Sequence, residues 1–255
     1  NRYMEWTSTG RRFRSTDGGM SWEPASDSRL SWITAQRQKV HVGYEGTWAY
    51  WLEPRTGLLI GFHSTPKFSN EFEKSYSRFF YQVSDDDGHS WDSWQRIVHS
   101  GDGCDAERWM PGFDPEKHSA GFDQPHAVTL DDGTLVFGFT VKTPRYLTRF
   151  FRGRWDEAGG AMRWEASEPI GVPAEVSGAG PCEPDLLPLG GQRLLATMRT
   201  QGIPAKKVPT TRQASVSEDG GRTWSVLASA VPGQRAVRTL AEPMNSATKR
   251  ETGRS

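Results

Sequence analysis

The sequence predicts an all-β protein, a β-propeller of four-stranded blades repeated around an axis. Three observations carry that prediction. The pattern S-x-D-x-G-x-x-W occurs three times without a mismatch, as "STDGGMSW" (Ser15 to Trp22), "SDDDGHSW" (Ser84 to Trp91) and "SEDGGRTW" (Ser217 to Trp224). Hairpin signatures, each a pair of apolar β-prone runs around a glycine-containing turn, recur upstream of the pattern. The chain also holds 11 tryptophans among 255 residues, with little helical periodicity, which favours an all-β protein with exposed aromatic surface.

The tryptophans that close the pattern, Trp22, Trp91 and Trp224, stand 69 and 133 residues apart. The second gap is close to twice the first, so a further copy is expected near residue 160. There the chain reads "FRGRWDEAGGAMRW", a Gly-Gly turn that ends in Trp164 and reads as a worn copy without the Ser and Asp. With it the spacings become 69, 73 and 60, and four units fill the chain.

Each unit has the same interior. "YWLEPRTGLLIGF" (50–62), "HAVTLDDGTLVFGF" (126–139) and "DLLPLGGQRLLATM" (185–198) read as the first two strands. "RFFYQVS", "TRFFRGR" and "RQASVS" read as third strands, and "SWQRIV" (93–98) and "RTWSVL" (222–227) as fourth strands. In the turn between the third and fourth strands, the carboxylates of Asp17, Asp86 and Asp219 are expected to accept backbone amides. Glycine supplies the positive φ of a tight turn, and the tryptophan packs its face between neighbouring sheets. These aspartates are therefore expected to be structural.

Composition narrows the partners. Lys+Arg and Asp+Glu are 31 each, so no global field favours nucleic acid or an anionic membrane, and no nucleic-acid partner is expected. No apolar run approaches the length of a membrane-crossing helix. The opening "NRYMEWTSTG" lacks both a starting Met and the layout of a signal peptide, and reads as an internal cut or a processed end. Cys104 and Cys182 allow at most one disulfide.

Strand direction then sorts the faces. With the motif turns at the bottom, the starts of the first strands and the ends of the second share the top. The starts "DQPHAV" and "CEPDLL" align Gln124, with its neighbour Asp123, against Glu183, while Ser64, Thr140 and Arg199 align at the ends of the second strands. Glu183 and Arg199, 16 residues apart, are expected to meet at the mouth of the central channel. The aperiodic stretch "HSGDGCDAERWMPGFDPEKHSAGF" (99–122) also falls on the top face, where so long a connection reads as a binding loop or lid. Within it Asp105, Glu107, Arg108 and Trp109 are candidate sugar contacts, with Trp109 as a stacking platform. His118, Asp123 and His126 bear metal-ligating side chains, but their spacing fits no familiar ligand set; no metal and no cofactor are expected.

The S-x-D-x-G-x-x-W element resembles the Asp box of the sialidase superfamily, whose BNR-repeat fold is a six-bladed β-propeller. Sialidases carry a Glu just before a hairpin and an Arg at the far end of its second strand, followed by an Asp box. "CEPDLLPLGGQRLLATMRTQG", with "SEDGGRTW" after it, is similar in order and spacing. The resemblance implies that Glu183 is the general base paired with a nucleophilic tyrosine, and that Arg199 is one of three arginines clamping the substrate carboxylate. The chemistry fits. A sialic acid carries a carboxylate on its anomeric carbon, which repels an anionic nucleophile and favours a neutral one activated by Glu. Arg holds a carboxylate by two parallel charge-assisted hydrogen bonds.

The resemblance thus implies a glycosidase of the exo-α-sialidase type that acts on sialylated or other acidic glycans. A secreted or periplasmic location is favoured. It also sets expectations about extent. The first clamp arginine belongs upstream of residue 1, and the stretch that should hold the acid/base Asp, "NRYMEW", offers only Glu5. The nucleophilic Tyr and the third clamp Arg belong beyond Trp224. Residues 1–233 are expected to form an incomplete propeller of about four blades, and residues 234–255 a disordered or aberrant tail. The alternatives are another carbohydrate-active propeller, such as a uronate polysaccharide lyase in which Arg199 holds a uronate carboxylate, and a non-catalytic propeller that binds glycans or proteins.

Overall fold

The computed structural model describes residues 3–6, 12–15, 20–21, 23–24, 47–67, 76–121, 127–202, 210–225 and 228–229. Every regular element among them is a β-strand, and the strands form four antiparallel sheets that succeed one another along the chain. The first sheet is β1 (Tyr3–Trp6), β2 (Arg12–Ser15) and β3 (Glu23–Pro24). The second is β4 (Thr47–Leu52), β5 (Leu59–Lys67), β6 (Tyr76–Ser84) and β7 (Gln95–Arg96). In the third, β8 (Ser119–Gly121) and β9 (Ala127–Thr129) both pair with β10 (Leu135–Lys142), followed by β11 (Tyr146–Asp156) and β12 (Ala161–Ala166). The fourth is β13 (Pro181–Gly190), β14 (Arg193–Thr200), β15 (Thr211–Ser217) and β16 (Ala228–Ser229). No helix among the described residues is long and apolar enough to cross a membrane.

The hairpins lie where the apolar runs and glycine turns place them, with two corrections. The fourth strand after the last motif is Ala228–Ser229, paired with Ala214 and Gln213, and not 222–227. The stretch read as a loop up to residue 122 contains β8, which pairs with Thr140–Lys142. β8 and β9 therefore act as one interrupted first strand.

The second and third sheets pack face to face through Phe62, Phe79, Tyr81, Phe137, Phe139, Phe151 and Trp164. The third and fourth pack through Val136, Phe150, Leu186, Leu194, Ala196 and Met198. β10 is thus buried on both sides, Leu135, Phe137, Phe139 and Val141 toward one neighbour and Val136 toward the other. That accounts for an almost uninterrupted apolar run where a half-exposed strand would alternate.

The two described motif turns share one network. Asp86 accepts from Ser84 Oγ (2.8 Å), Ser90 N–H (2.8 Å) and Ser90 Oγ (2.7 Å), while Ser84 Oγ accepts Gly88 N–H (2.7 Å). Asp219 accepts from Ser217 Oγ (2.8 Å), Arg222 N–H (3.0 Å), Thr223 N–H (2.9 Å) and Thr223 Oγ1 (2.6 Å), and Ser217 Oγ accepts Gly221 N–H (2.8 Å). The Ser90 amide, then the Ser90 and Ser84 hydroxyls, hold the Asp86 carboxyl far below the usual carboxylate range. For Asp219 burial opposes ionisation, but the Thr223 and Ser217 hydroxyls and the Thr223 and Arg222 amides outweigh it and lower the value. Asp17 and Trp22 lie outside the described residues.

The tryptophans close the sheets differently. Trp224 lies on Phe150 of the preceding sheet at 4.3 Å between ring centroids. Trp91 lies on Tyr50 of its own sheet. Trp164 sits inside β12, against Phe62 and Tyr81 of the preceding sheet. A Cβ on Gly153 would meet its ring at 2.3 Å, so a glycine opposite makes room for it. The turn before Trp164 is therefore not a worn motif. It is a hairpin turn in which Asp156 bonds Arg163 and the Gly159 and Ala158 amides.

Candidate active site

β13 and β14 are joined by a turn at Gly190 and Gly191, both at positive φ. The register brings Cys182 opposite Arg199, with a shift between Cys182 and Asp185. The reason is local. Pro184 has no amide to give the ladder, so pairing lapses at Glu183 and Pro184, and the strand bulges. Glu183 takes φ 51°, although a residue before proline is ordinarily confined to extended backbone. Bulges of this kind re-aim a side chain, and left-handed non-glycine residues concentrate where the surroundings hold them for a purpose.

The re-aimed side chain meets the expected partner. Arg199 Nη2 donates to Glu183 Oε1 at 2.5 Å, with the Glu183 side chain 30% and the Arg199 side chain 42% exposed. The Glu183 hydrogen bond raises the Arg199 pKa above its ordinary value. Arg199 Nε is buried without an acceptor among the described residues. Directly across the sheet from Arg199 stands Arg212, whose side chain shares that face and is exposed. One arginine on the Glu183 carboxylate and a second beside it in the sheet leave this edge with spare positive charge, suited to an anionic group.

The pair lies at the end of the fourth sheet away from the motif turn. At the other end the Gln192 carbonyl of the β13–β14 turn accepts Gly220 N–H (2.8 Å). The two faces are therefore ordered as strand direction predicts: aspartate staples at one end, Glu183 and Arg199 at the other.

Gln124, Asp123 and His126 lie outside the described residues. Trp109 is not a sugar platform: it is fully buried, with Phe79 and Phe113 at 4.8 Å and Phe139 and Phe151 beyond. The 101–118 segment is accordingly no solvated flap. Trp109, Met110 and Phe113 anchor it in the core, and the buried Arg149 ties Pro111 O (2.8 Å) to Ser167 O (2.9 Å). Burial lowers the Arg149 pKa to about 10. Arg108 is exposed, its amide on Asp105 Oδ1 (2.7 Å), and Glu107 pairs with Arg78 (2.7 Å). His118 spends Nδ1 on the Asp114 amide (3.0 Å). Both thiols are reduced.

Sequence reasoning missed Arg212 and Thr148. Arg212 follows a ten-residue connection (201–210) that fixes no register from sequence. Thr148 reads as one more strand residue until the fourth sheet is packed against it.

The comparisons agree with this architecture. The family model described as BNR repeat-like domain matches residues 47–249. Among solved structures, the chain is similar to a Hadza microbial sialidase at 21% identity and a TM-score of 0.55, covering 84% of this chain and 39% of that one. It is also similar to a variant of NanB sialidase from Streptococcus pneumoniae at 12% identity and a TM-score of 0.51, covering 92% of this chain and 52% of that one. The chain spans less than two thirds of either, and the likeness is one of fold: the four sheets are blades of a sialidase-type propeller. No curated protein matches the chain.

Proposed function

The chain belongs to the BNR repeat-like domain family, and we propose that it works as a glycoside hydrolase of the exo-α-sialidase type on glycans ending in sialic or related acidic sugars. The observation that supports this most is the 2.5 Å contact between Glu183 Oε1 and Arg199 Nη2 at the end of the blade opposite the aspartate staple. In this reading Arg199 does two things. It orients the Glu183 side chain through their hydrogen bond, and its remaining donors grip the substrate carboxylate in a fork.

Glu183 is then the base that takes a proton from a neutral nucleophile. That route is open to a substrate whose anomeric carbon already bears a negative group, because a neutral attacking atom is not repelled by it. The spare positive charge of Arg212 beside Arg199 supports an acidic rather than a neutral sugar.

Release of free sialic acid from a fluorogenic α-sialoside, with a neutral galactoside as control, tests the reading in the completed propeller. Sialoside turnover that disappears in Arg199→Ala is expected. Turnover of the galactoside instead, or sialoside turnover indifferent to Arg199→Ala, contradicts it.

A further inference from the structure

The segment that presents Glu183 does not keep its shape unaided; the third sheet moulds it at successive points. Tyr146 N–H donates to Ala179 O (2.5 Å). Gly180, at φ 93°, leaves only 2.2 Å between an added Cβ and Tyr146 O. Thr148 Oγ1 donates to Pro181 O (3.3 Å), and Thr140 Oγ1 accepts Glu183 N–H (3.3 Å). Beyond Glu183, Pro184 sits where a Cβ on Gly138 would approach it to 2.7 Å.

Thr140 and Thr148 face each other in the β10–β11 register, and both are buried. Thr148 donates a hydrogen bond to the carbonyl before the bulge, and Thr140 accepts one from the amide within it. A threonine hydroxyl has both capacities, whereas a valine of the same shape has neither. The Glu183 amide, displaced from its own ladder by the bulge, needs such a partner, since an unmet buried amide costs stability.

We infer that Thr140 and Thr148 are positioning residues that hold the Glu183 backbone in its left-handed conformation and so keep its carboxylate on Arg199. The inference rests on the proposed role of Glu183, and it extends the site from one blade to two. The third blade acts as the template, and the fourth carries the charged groups.

The test uses Thr140→Val, Thr148→Val and Thr140→Ser in the completed propeller, with sialoside kinetics and a crystal structure of each. Thr140→Val is expected to lower kcat roughly 10- to 100-fold, as a small misplacement of a reacting group does, with KM little changed. Thr140→Ser keeps the hydroxyl and is expected to stay close to wild type, which separates the hydroxyl's role from simple packing. In the Thr140→Val crystal, residue 183 should leave positive φ, and the Glu183–Arg199 contact should open. Unchanged kcat together with unchanged φ overturns the inference. If the wild-type chain turns over no sialoside, the hydrolase reading fails, and the crystal structures alone then decide the positioning claim by the same two criteria.

Discussion

Arg199 and Glu183, 16 residues apart in sequence, share a 2.5 Å hydrogen bond across a bulge that puts Glu183 at φ 51°. The two side chains are partly exposed, so the contact is open to a competing anion. Replacing Arg199 with Lys keeps the charge and loses the planar fork. Arg199→Lys is expected to raise KM for a sialoside about tenfold, the equivalent of one charge-assisted hydrogen bond, with a smaller change in kcat. Steady-state kinetics against sialoside concentration checks the split.

The aspartate staples predict the opposite pattern. Asp219→Ala removes the acceptor of four hydrogen bonds and leaves the Thr223 and Arg222 amides to find water. A loss of about 2 kcal/mol is expected, from the usual worth of hydrogen bonds to a charged group. That lowers the thermal midpoint by on the order of 5 °C for a domain of this size. KM should not move. A large change in KM with an unchanged melting curve would place this turn at the binding face.

Two equivalent turn positions differ in a way that stability measurements can read. Asp87 (φ 59°) and Gly220 (φ 72°) occupy the same place in the two motifs. Asp87→Gly removes a left-handed side-chain penalty and is expected to stabilise the protein by up to about 1 kcal/mol. Gly220→Ala drives a Cβ to within 2.3 Å of Gln192 Oε1 and 3.0 Å of Leu130, and is expected to destabilise by more than about 1 kcal/mol. Paired urea titrations of the two variants give both signs in one experiment.

The 101–118 segment carries a pH dependence at each end. His99 Nδ1 accepts the Ala166 amide (2.9 Å) and His118 Nδ1 accepts the Asp114 amide (3.0 Å). Both bonds require a neutral ring. Burial lowers both values; Arg149 adds to this at His99 against Glu165, and at His118 Asp114 pulls upward and Lys117 downward. A proton therefore binds the native rings less readily than the unfolded ones. Their contribution is complete above about pH 6.5, the ordinary imidazole value, and fades as pH falls below it. Thermal midpoints of wild type should fall from pH 7 to pH 5. The fall should be shallower in a His99→Asn, His118→Asn variant, whose amide oxygens accept without titrating.

Much of this architecture was legible in the sequence, for local reasons. Gly57, Gly133 and the Gly190–Gly191 pair mark turns that the backbone uses at positive φ, and the apolar runs beside them become hairpins. The Glu183–Arg199 meeting was legible because strand direction puts the start of β13 and the end of β14 at one end of the sheet, although the register places Cys182 opposite Arg199 and the bulge brings Glu183 to it. The rest depends on packing between blades. Trp109, in a polar aperiodic stretch, reads as surface; only the hollow between Phe79, Phe139 and Phe151 makes it core. Likewise Trp164 reads as the end of a motif turn, and the space over Gly153 makes it a strand residue. The left-handed backbone of Glu183 has no mark of its own in sequence, since it arises where Pro184 breaks the ladder over the hydroxyls of the third blade.

The most direct test is the turnover of a fluorogenic α-sialoside by the completed propeller and by its Glu183→Gln variant, which preserves the shape of the side chain and removes its basicity. The expected result is at least a 100-fold loss of kcat, in line with the usual worth of a general base, with a folded variant whose melting temperature stays near that of wild type. Wild-type-like turnover in Glu183→Gln would show that the base of the reaction lies elsewhere.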